Sequence, residues 1–372
     1  MTGASVRTPA TFQTKKRSFS HNSLRNLLRD AIRVLQVPKS NPQKCGSVRW
    51  SDGVRVRFKN GFSYLHGLVH CGRPWACPVC AYRIARGRGE ELQEIIRRHR
   101  KLGGDVLHLT ATTPHDSRYW LKVSLGVVSG SWRKGCVSGG AWVKIKKALG
   151  IQGWCRALEV THGAHGWHPH IHVLLFLDHP LSKAQRDVLE AYFREHWADA
   201  VFAAGYRRPS REHGVRLSDG KGAGWYVTKI TKQGLAQEIA RSDTKKGRAG
   251  NRSPLQIMED YRRHHLECDR KLIVEWLTDT YRVPQLTWSN GFRKQLAQRY
   301  QVAEQLDLDI AQDIKHPADE LLGEISGAQW DRLVDLAPSF PGQVVEAAEK
   351  GGWPAVERLI WRTSAGAQKI PP

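Results

Sequence analysis

Nowhere does the sequence run to 18 consecutive apolar residues, so no membrane-spanning helix is expected. The N-terminal stretch is polar and has no apolar segment of the secretory kind, which points to a reducing cytoplasm. There is no internal repeat. Acidic residues are scarce: 35 Asp and Glu against 58 Lys and Arg, a formal net charge of +23. A balance this basic calls for a polyanionic partner, usually nucleic acid. The scarcity is uneven. Residues 301–372 hold 6 basic and 12 acidic residues, leaving the first 300 with 52 against 23. Cysteines number seven, an odd count, and four of them fall within 45–80. In a reducing compartment such clustering speaks for metal rather than disulfides.

The 40% hydrophobic content is enough for a packed core. Four regions are expected: a basic N-terminal segment with one helix (1–44), a cysteine-rich segment with a basic helix (45–100), a mixed domain with a helical extension (101–300) and an acidic helical region (301–372). Residues 1–20 read as disordered. In 23–36, Leu24, Leu27, Leu28, Ile32 and Leu35 fall on one helical stripe behind Ser23 as cap. Residues 81–101 read as a basic helix and 105–113 as a strand ended by Pro114. The Gly- and Ser-rich stretch 124–140 reads as a loop, followed by helical character at 141–149. Two strand-like runs, 154–161 and 168–177, flank a polar turn and predict a hairpin. A capped helix starts at Ser182 and a short strand is expected at 214–218. A helix over 222–240, a basic loop at 245–252 and helical pieces broken at Pro284 complete the domain.

The sharpest local pattern is WHPHIHVLLFL at 167–177. On a strand, alternate side chains share a face. His168, His170 and His172 then point one way, and Ile171, Val173, Leu175 and Leu177 point into a core. Pairing Thr161 with His168 brings Glu159 opposite His170 on the histidine face. Two imidazoles and a carboxylate suit Mg²⁺ or Mn²⁺ with coordination positions left open, and Zn²⁺ is chemically admissible. The alternative is a row of exposed histidines on a sheet face.

Downstream, GWYVTKI at 224–230 places Tyr226 and Lys229 on one helical face. Alone this pattern is common. Near a divalent cation it acquires a chemical use. A phenol of pKa about 10 is a poor nucleophile, but a cation on a phosphate and a nearby ammonium both favour its attack. Cys71, Cys77 and Cys80, with Cys45 upstream, form a candidate four-thiolate Zn²⁺ site. His66 and His70 are alternatives for the fourth ligand, and buried reduced thiols are the alternative to metal. Cys136, Cys155 and Cys268 stand alone. Arg83, Arg86 and Arg88, with Arg97 and Arg98, offer phosphate contacts or a solvated basic face. Trp167 and Trp225 offer stacking surfaces for unpaired bases, with core packing as the alternative.

His170-Ile171-His172 followed by a Y-x-x-K resembles the signature of the HUH endonuclease superfamily. The segment 108–115 is similar to the first motif of that superfamily, 157–175 to the second and 225–230 to the third. Segments 71–92, 253–261 and 285–296 resemble the rolling-circle plasmid replication initiators of the Rep_1 type. The resemblance covers roughly 45–300. It implies an α+β fold: a central antiparallel sheet flanked by helices, here with an N-terminal zinc-binding segment and a helical C-terminal appendage. It implies a Mg²⁺- or Mn²⁺-dependent nick in single-stranded or hairpin origin DNA of a plasmid, leaving a 5′-phosphotyrosine and a 3′-hydroxyl primer. By residue, the implied ligands are His170, His172 and Glu159, with His168 as a further candidate. Tyr226 is the implied nucleophile and Lys229 its electrostatic helper. No tyrosine stands at 222, 223, 229 or 230, so a two-tyrosine site is not supported. Position 222, where some relatives carry a Glu, is Gly. Glu238 is the candidate for activating water at termination. A host helicase or polymerase is a candidate partner of the acidic end. A transposase or relaxase of the same superfamily and a non-catalytic zinc-dependent DNA-binding protein are the rival readings.

Overall fold

The computed structural model describes residues 21–35, 37, 42–59, 61–219, 251–312 and 319–367. The expectations for 1–20, for the helix over 222–240 and for most of the basic loop at 245–252 fall outside the described residues.

Two runs of alternating residues build the centre. Strand β4 (Ile151–Gly163) and strand β5 (Gly166–Leu177) form the expected hairpin, each longer than anticipated. Its tip is tight. Gly166 has φ +82, and a Cβ there would come within 2.9 Å of the Ser117 backbone, so the turn needs glycine. The register pairs Thr161 with His168 and Glu159 with His170, as the hairpin reading requires. Strand β3 (Asp105–Thr112) pairs with the other side of β5, β6 (Val215–Asp219) pairs with β3, and β7 (Leu286–Trp288) pairs with β4. The five-stranded sheet is antiparallel throughout, in the order β6-β3-β5-β4-β7.

Among the described residues both faces of this sheet are covered, one of them only in part. Leu107, Leu109, Leu158, Ile171, Val173, Leu175 and Leu177 pack beneath helices on one face, joined by Leu125, Val128, Trp132, Phe193 and Trp197. On the other face, Leu174 and Phe176 of β5 are fully buried with Val106 and Cys155. They are covered by Leu92, Ile95 and Ile96 of helix α2 (Pro78–Lys101), and by Phe292, Leu296 and Tyr300 from the segment following β7. That cover stops before the N-terminal half of β5, where the histidines stand. Burial on both faces explains why 173–177 is apolar without a break. Phe176→Ala is therefore expected to cost about 3–5 kcal/mol of unfolding free energy in urea titration. A cost below about 1 kcal/mol would contradict two-sided burial.

Other helices follow their local signals. Helix α1 (His21–Val34) buries Leu24, Leu28 and Ile32, but it begins before Ser23, which lies inside it rather than capping it. The helix Lys183–Ala203 carries a reciprocal cap. Gln185 N–H donates to Ser182 Oγ at 3.2 Å and Ser182 N–H donates to Gln185 Oε1 at 2.9 Å. Helical character returns at Gly139–Ala148 as expected. The stretch 124–140 is not a loop. Leu121–Gly130 is helical and runs on into a π-helical turn at Ser131–Cys136. Burial of Leu125, Val128 and Trp132 outweighs the poor helix propensity of the glycines between them.

The region after 300 is not wholly helical. Strand β8 (Glu320–Ser326) lies between helices Asp307–Ala311 and Gly327–Leu336, and the helical stretch Phe340–Ala367 is broken at Gly351 and Gly352. That strand pairs with β1 (Gly53–Lys59), and β2 (Phe62–His66) completes a second sheet in the order β2-β1-β8. Val54, Val56 and Ile325 bury against Trp330, Phe340 and Val344. The acidic residues of this region face basic residues of the earlier chain: Asp307 meets Arg88 at 2.8 Å, Asp319 meets Lys59 at 2.9 Å and Asp331 meets Arg49 at 2.7 Å. The charge asymmetry of the sequence is thus partly satisfied within the fold.

Candidate metal centre and cysteine cluster

Glu159, His170 and His172 converge on the part of the sheet that the described helices leave uncovered. Glu159 Oε2 lies 3.0 Å from His170 Nε2 and 3.1 Å from His172 Nε2. The carboxyl is half-buried and the two imidazoles are more deeply placed, so the group opens to solvent on the side of Glu159. Separations near 3 Å are the edges expected of ligands about 2.1 Å from one centre. Two imidazoles with one carboxylate are a donor set that could hold a divalent cation with positions left open. Burial alone would raise the Glu159 carboxyl, but hydrogen bonds with both imidazoles hold it well below the usual carboxylate range. The same contacts raise His170 against the lowering effect of its burial.

Behind these residues stands a group that the sequence reading did not single out. His108 on β3 is buried, and its Nε2 lies 3.1 Å from His172 Nδ1. Thr110, opposite His172 in the β3–β5 register, places Oγ1 3.3 Å from the same nitrogen. Burial, with the neighbouring His172, lowers the His108 imidazole to about 4. The signal was available in outline, since His108, Thr110 and Thr112 alternate on one face of a predicted strand. Their meeting with His172 depends on a strand pairing that sequence spacing does not specify.

His168 faces the same side but stands apart from the three-residue group. Its ring lies 4.2 Å from that of His115, and burial lowers it to about 3. Trp167 is buried and stacks on Trp276 at 5.8 Å, so it is a core residue rather than a surface for bases. Trp225, Tyr226, Lys229 and Glu238 lie outside the described residues.

The second group lies at the start of α2. Cys45 Sγ is 3.5 Å from Cys77 Sγ and 3.6 Å from Cys80 Sγ, and Cys71 Sγ is 3.7 Å from Cys80 Sγ. These separations are too long for a disulfide. They match the edges of a tetrahedron with metal–sulfur bonds of about 2.3 Å. Cys45, not His66 or His70, completes the set. Hydrogen bonds with Cys71 and Cys77 lower the Cys45 thiol to about 5, which favours a thiolate in the cluster.

The arginines of α2 divide. Arg83 donates to the Ala311 carbonyl at 2.8 Å, and Arg88 pairs with Asp307 and Glu91. Arg86 is exposed and pairs with Glu90. Arg97 and Arg98 both engage Glu94.

Residues 63–201 match the Rep_1 family, described as a replication protein. The chain is similar to Protein rep of Streptomyces lividans, 28% identical over 249 residues, covering 53% of this chain and 54% of that protein. It is also similar to a neomycin resistance protein of Streptomyces cyanogenus, 30% identical over 148 residues, covering 33% of this chain and 34% of that protein. The chain thus spans about half, or less, of the length of these curated relatives. No solved structure matches. Among the described residues no helix is long and apolar enough to cross a membrane. The stretch 63–201 that matches the Rep_1 replication-protein model contains Cys71, Cys77, Cys80 and the whole hairpin with Glu159, His170 and His172.

Proposed function

We propose that the chain initiates rolling-circle replication of a plasmid by nicking one strand of origin DNA and holding the cut end on Tyr226. The observation that carries this reading is the convergence of Glu159, His170 and His172 within a matched replication-protein region. A Mg²⁺ or Mn²⁺ ion bound there would neutralise charge on the scissile phosphate. The covalent change belongs to the chain. Tyr226 Oη forms a bond to phosphorus as the bond from phosphorus to the 3′ oxygen breaks. The phenolic proton passes to solvent, and the departing 3′ oxygen takes one up to become a hydroxyl. The 5′ phosphate stays on the tyrosine, so the bond energy is conserved and rejoining needs no ATP. Lys229 favours the phenolate. Tyr226 follows Asp219, the last residue of β6, by seven residues, a tether of at most about 25 Å. Arg216 sits opposite Thr110 on β6 and is exposed, which offers a cation for DNA phosphate beside the site.

Incubation of the full chain with Mn²⁺ and an oligonucleotide carrying its own plasmid origin should give an adduct that survives SDS. DNA binding without any adduct would favour the non-catalytic reading instead. Cutting at transposon ends or a transfer origin, and not at the replication origin, would favour the transposase or relaxase reading.

The cysteine cluster is assigned a structural Zn²⁺. Cys77→Ser removes one of four clustered sulfurs, three of them on buried residues, beside the start of α2. Its expected outcome is loss of the one zinc per chain by atomic absorption, together with a large loss of folded protein by circular dichroism. A Cys77→Ser chain that folds normally and keeps its zinc would remove the assignment.

A further inference from the structure

We infer that His108 is a positioning residue that fixes the imidazole of His172 for cation binding. The inference rests on reading Glu159, His170 and His172 as a divalent-cation site. For His172 to offer Nε2 to an ion, its proton must sit on Nδ1 and that nitrogen must donate to something. Among the described residues two partners lie in reach, His108 Nε2 at 3.1 Å and Thr110 Oγ1 at 3.3 Å. The two rings are parallel within 7°, with centroids 5.3 Å apart. With the nitrogens 3.1 Å apart, the two ring radii account for the remainder. The nitrogens therefore lie close to the line between ring centres. This is an edge-to-edge hydrogen bond in the plane of both rings, not a face-to-face stack.

The direction of that bond is set from its far end. Ser218 lies opposite His108 in the β3–β6 register. Its hydroxyl donates to the His108 carbonyl at 3.2 Å, and a carbonyl only accepts. The Ser218 oxygen, 3.4 Å from His108 Nδ1, is then left to accept. His108 so oriented carries its proton on Nδ1 and presents a bare Nε2 to His172. The relay runs from His172 Nδ1–H to His108 Nε2, and from His108 Nδ1–H to Ser218 Oγ. When an ion replaces the hydrogen bond that His172 Nε2 now makes to Glu159, the relay would leave that nitrogen unprotonated toward the ion. For His170 a simpler device serves. Its Nδ1 lies 3.4 Å from the His168 carbonyl, which again only accepts. Each of the two imidazoles thus has an Nδ1 partner that supports the tautomer needed for Nε2 to bind an ion in place of its hydrogen bond to Glu159.

The test is Mn²⁺ affinity of the full chain, read from the electron paramagnetic resonance signal of free Mn²⁺. His108→Phe keeps a ring but removes the acceptor. His108→Gln restores an acceptor oxygen. Outer-shell partners of metal-binding histidines typically contribute about 10- to 100-fold in affinity. H108F should bind Mn²⁺ at least about tenfold more weakly than wild type at an unchanged thermal midpoint. H108Q should recover most of the loss, and Ser218→Ala should lose about threefold, the lower end of such effects. Wild-type affinity in a folded H108F overturns the inference, as does an equal loss in H108F and H108Q. Should H108F not fold, Ser218→Ala decides: weakened binding supports the relay and wild-type affinity overturns it. His170→Ala separates the two levels. If it leaves Mn²⁺ binding intact, the cation-site reading fails and the role of His108 falls with it. If it abolishes binding while H108F does not weaken it, only His108 is wrongly assigned.

Discussion

His170→Ala and His172→Ala should each slow origin nicking by about 10³-fold or more while leaving salt-sensitive DNA affinity nearly unchanged. A thousandfold loss corresponds to about 4 kcal/mol of transition-state stabilisation, within what a bound cation supplies to a phosphoryl centre. Each substitution removes one of the two imidazoles that meet Glu159 Oε2. DNA affinity depends instead on many phosphate contacts made by a chain of net charge +23. The two variants should differ in stability. His172 is the more buried, and its loss leaves His108 Nε2 without its nearest partner. Losing that hydrogen bond together with a more buried ring costs stability, so H172A should melt earlier than H170A. Paired nicking and filter-binding assays over a salt series, with thermal melts, check both parts. Normal nicking by either variant removes the metal assignment.

Tyr226→Phe should abolish the SDS-resistant adduct and nicking together, again by about 10³-fold or more, because the phenol oxygen is the atom that bonds to phosphorus. Mn²⁺ affinity should stay within about twofold of wild type, since outer groups that do not hold a ligand contribute little to its binding. This pattern distinguishes a lost nucleophile from a lost cation. In H170A both adduct and Mn²⁺ binding disappear, whereas in Y226F only the adduct does. An adduct that persists in Y226F would move the chemistry to another residue.

The hairpin was legible because two local signals agree on it. Period-two alternation places His170 and His172 on one face, and a short polar turn ending in Gly166 sets the register that brings Glu159 across. The cysteine cluster was legible through spacing, although Cys45 joins it only because the fold brings a residue 26 positions before Cys71 against the start of α2. Three features were not legible. His108 required knowing that β3 lies beside β5, a pairing between strands more than fifty residues apart. The helix at 121–130 was hidden by glycine and serine, although Leu121, Leu125 and Val128 keep helical spacing and are buried. Strand β8 finds its partner β1 more than 260 residues away, so its short, partly exposed sequence carries no local sign of pairing. Trp167 looked available for bases because it neighbours the histidines. Strand alternation in fact sends it to the opposite face, against Trp276.

The acidic end shows how composition can be misread as a separate module. Its carboxylates at 307, 319 and 331 pair with Arg88, Lys59 and Arg49, and its strand closes the edge of β1. An exposed strand edge invites unwanted pairing, so this part of the chain completes a sheet begun near residue 53.

Mass spectrometry of the protein recovered from a reaction with origin DNA and Mn²⁺ tests the central claim most directly. After nuclease digestion, a single nucleotide phosphate should remain on the peptide containing Tyr226, and none should form once His170 is Ala. A phosphate on any other residue, or cut DNA with no protein-bound nucleotide, would contradict the account.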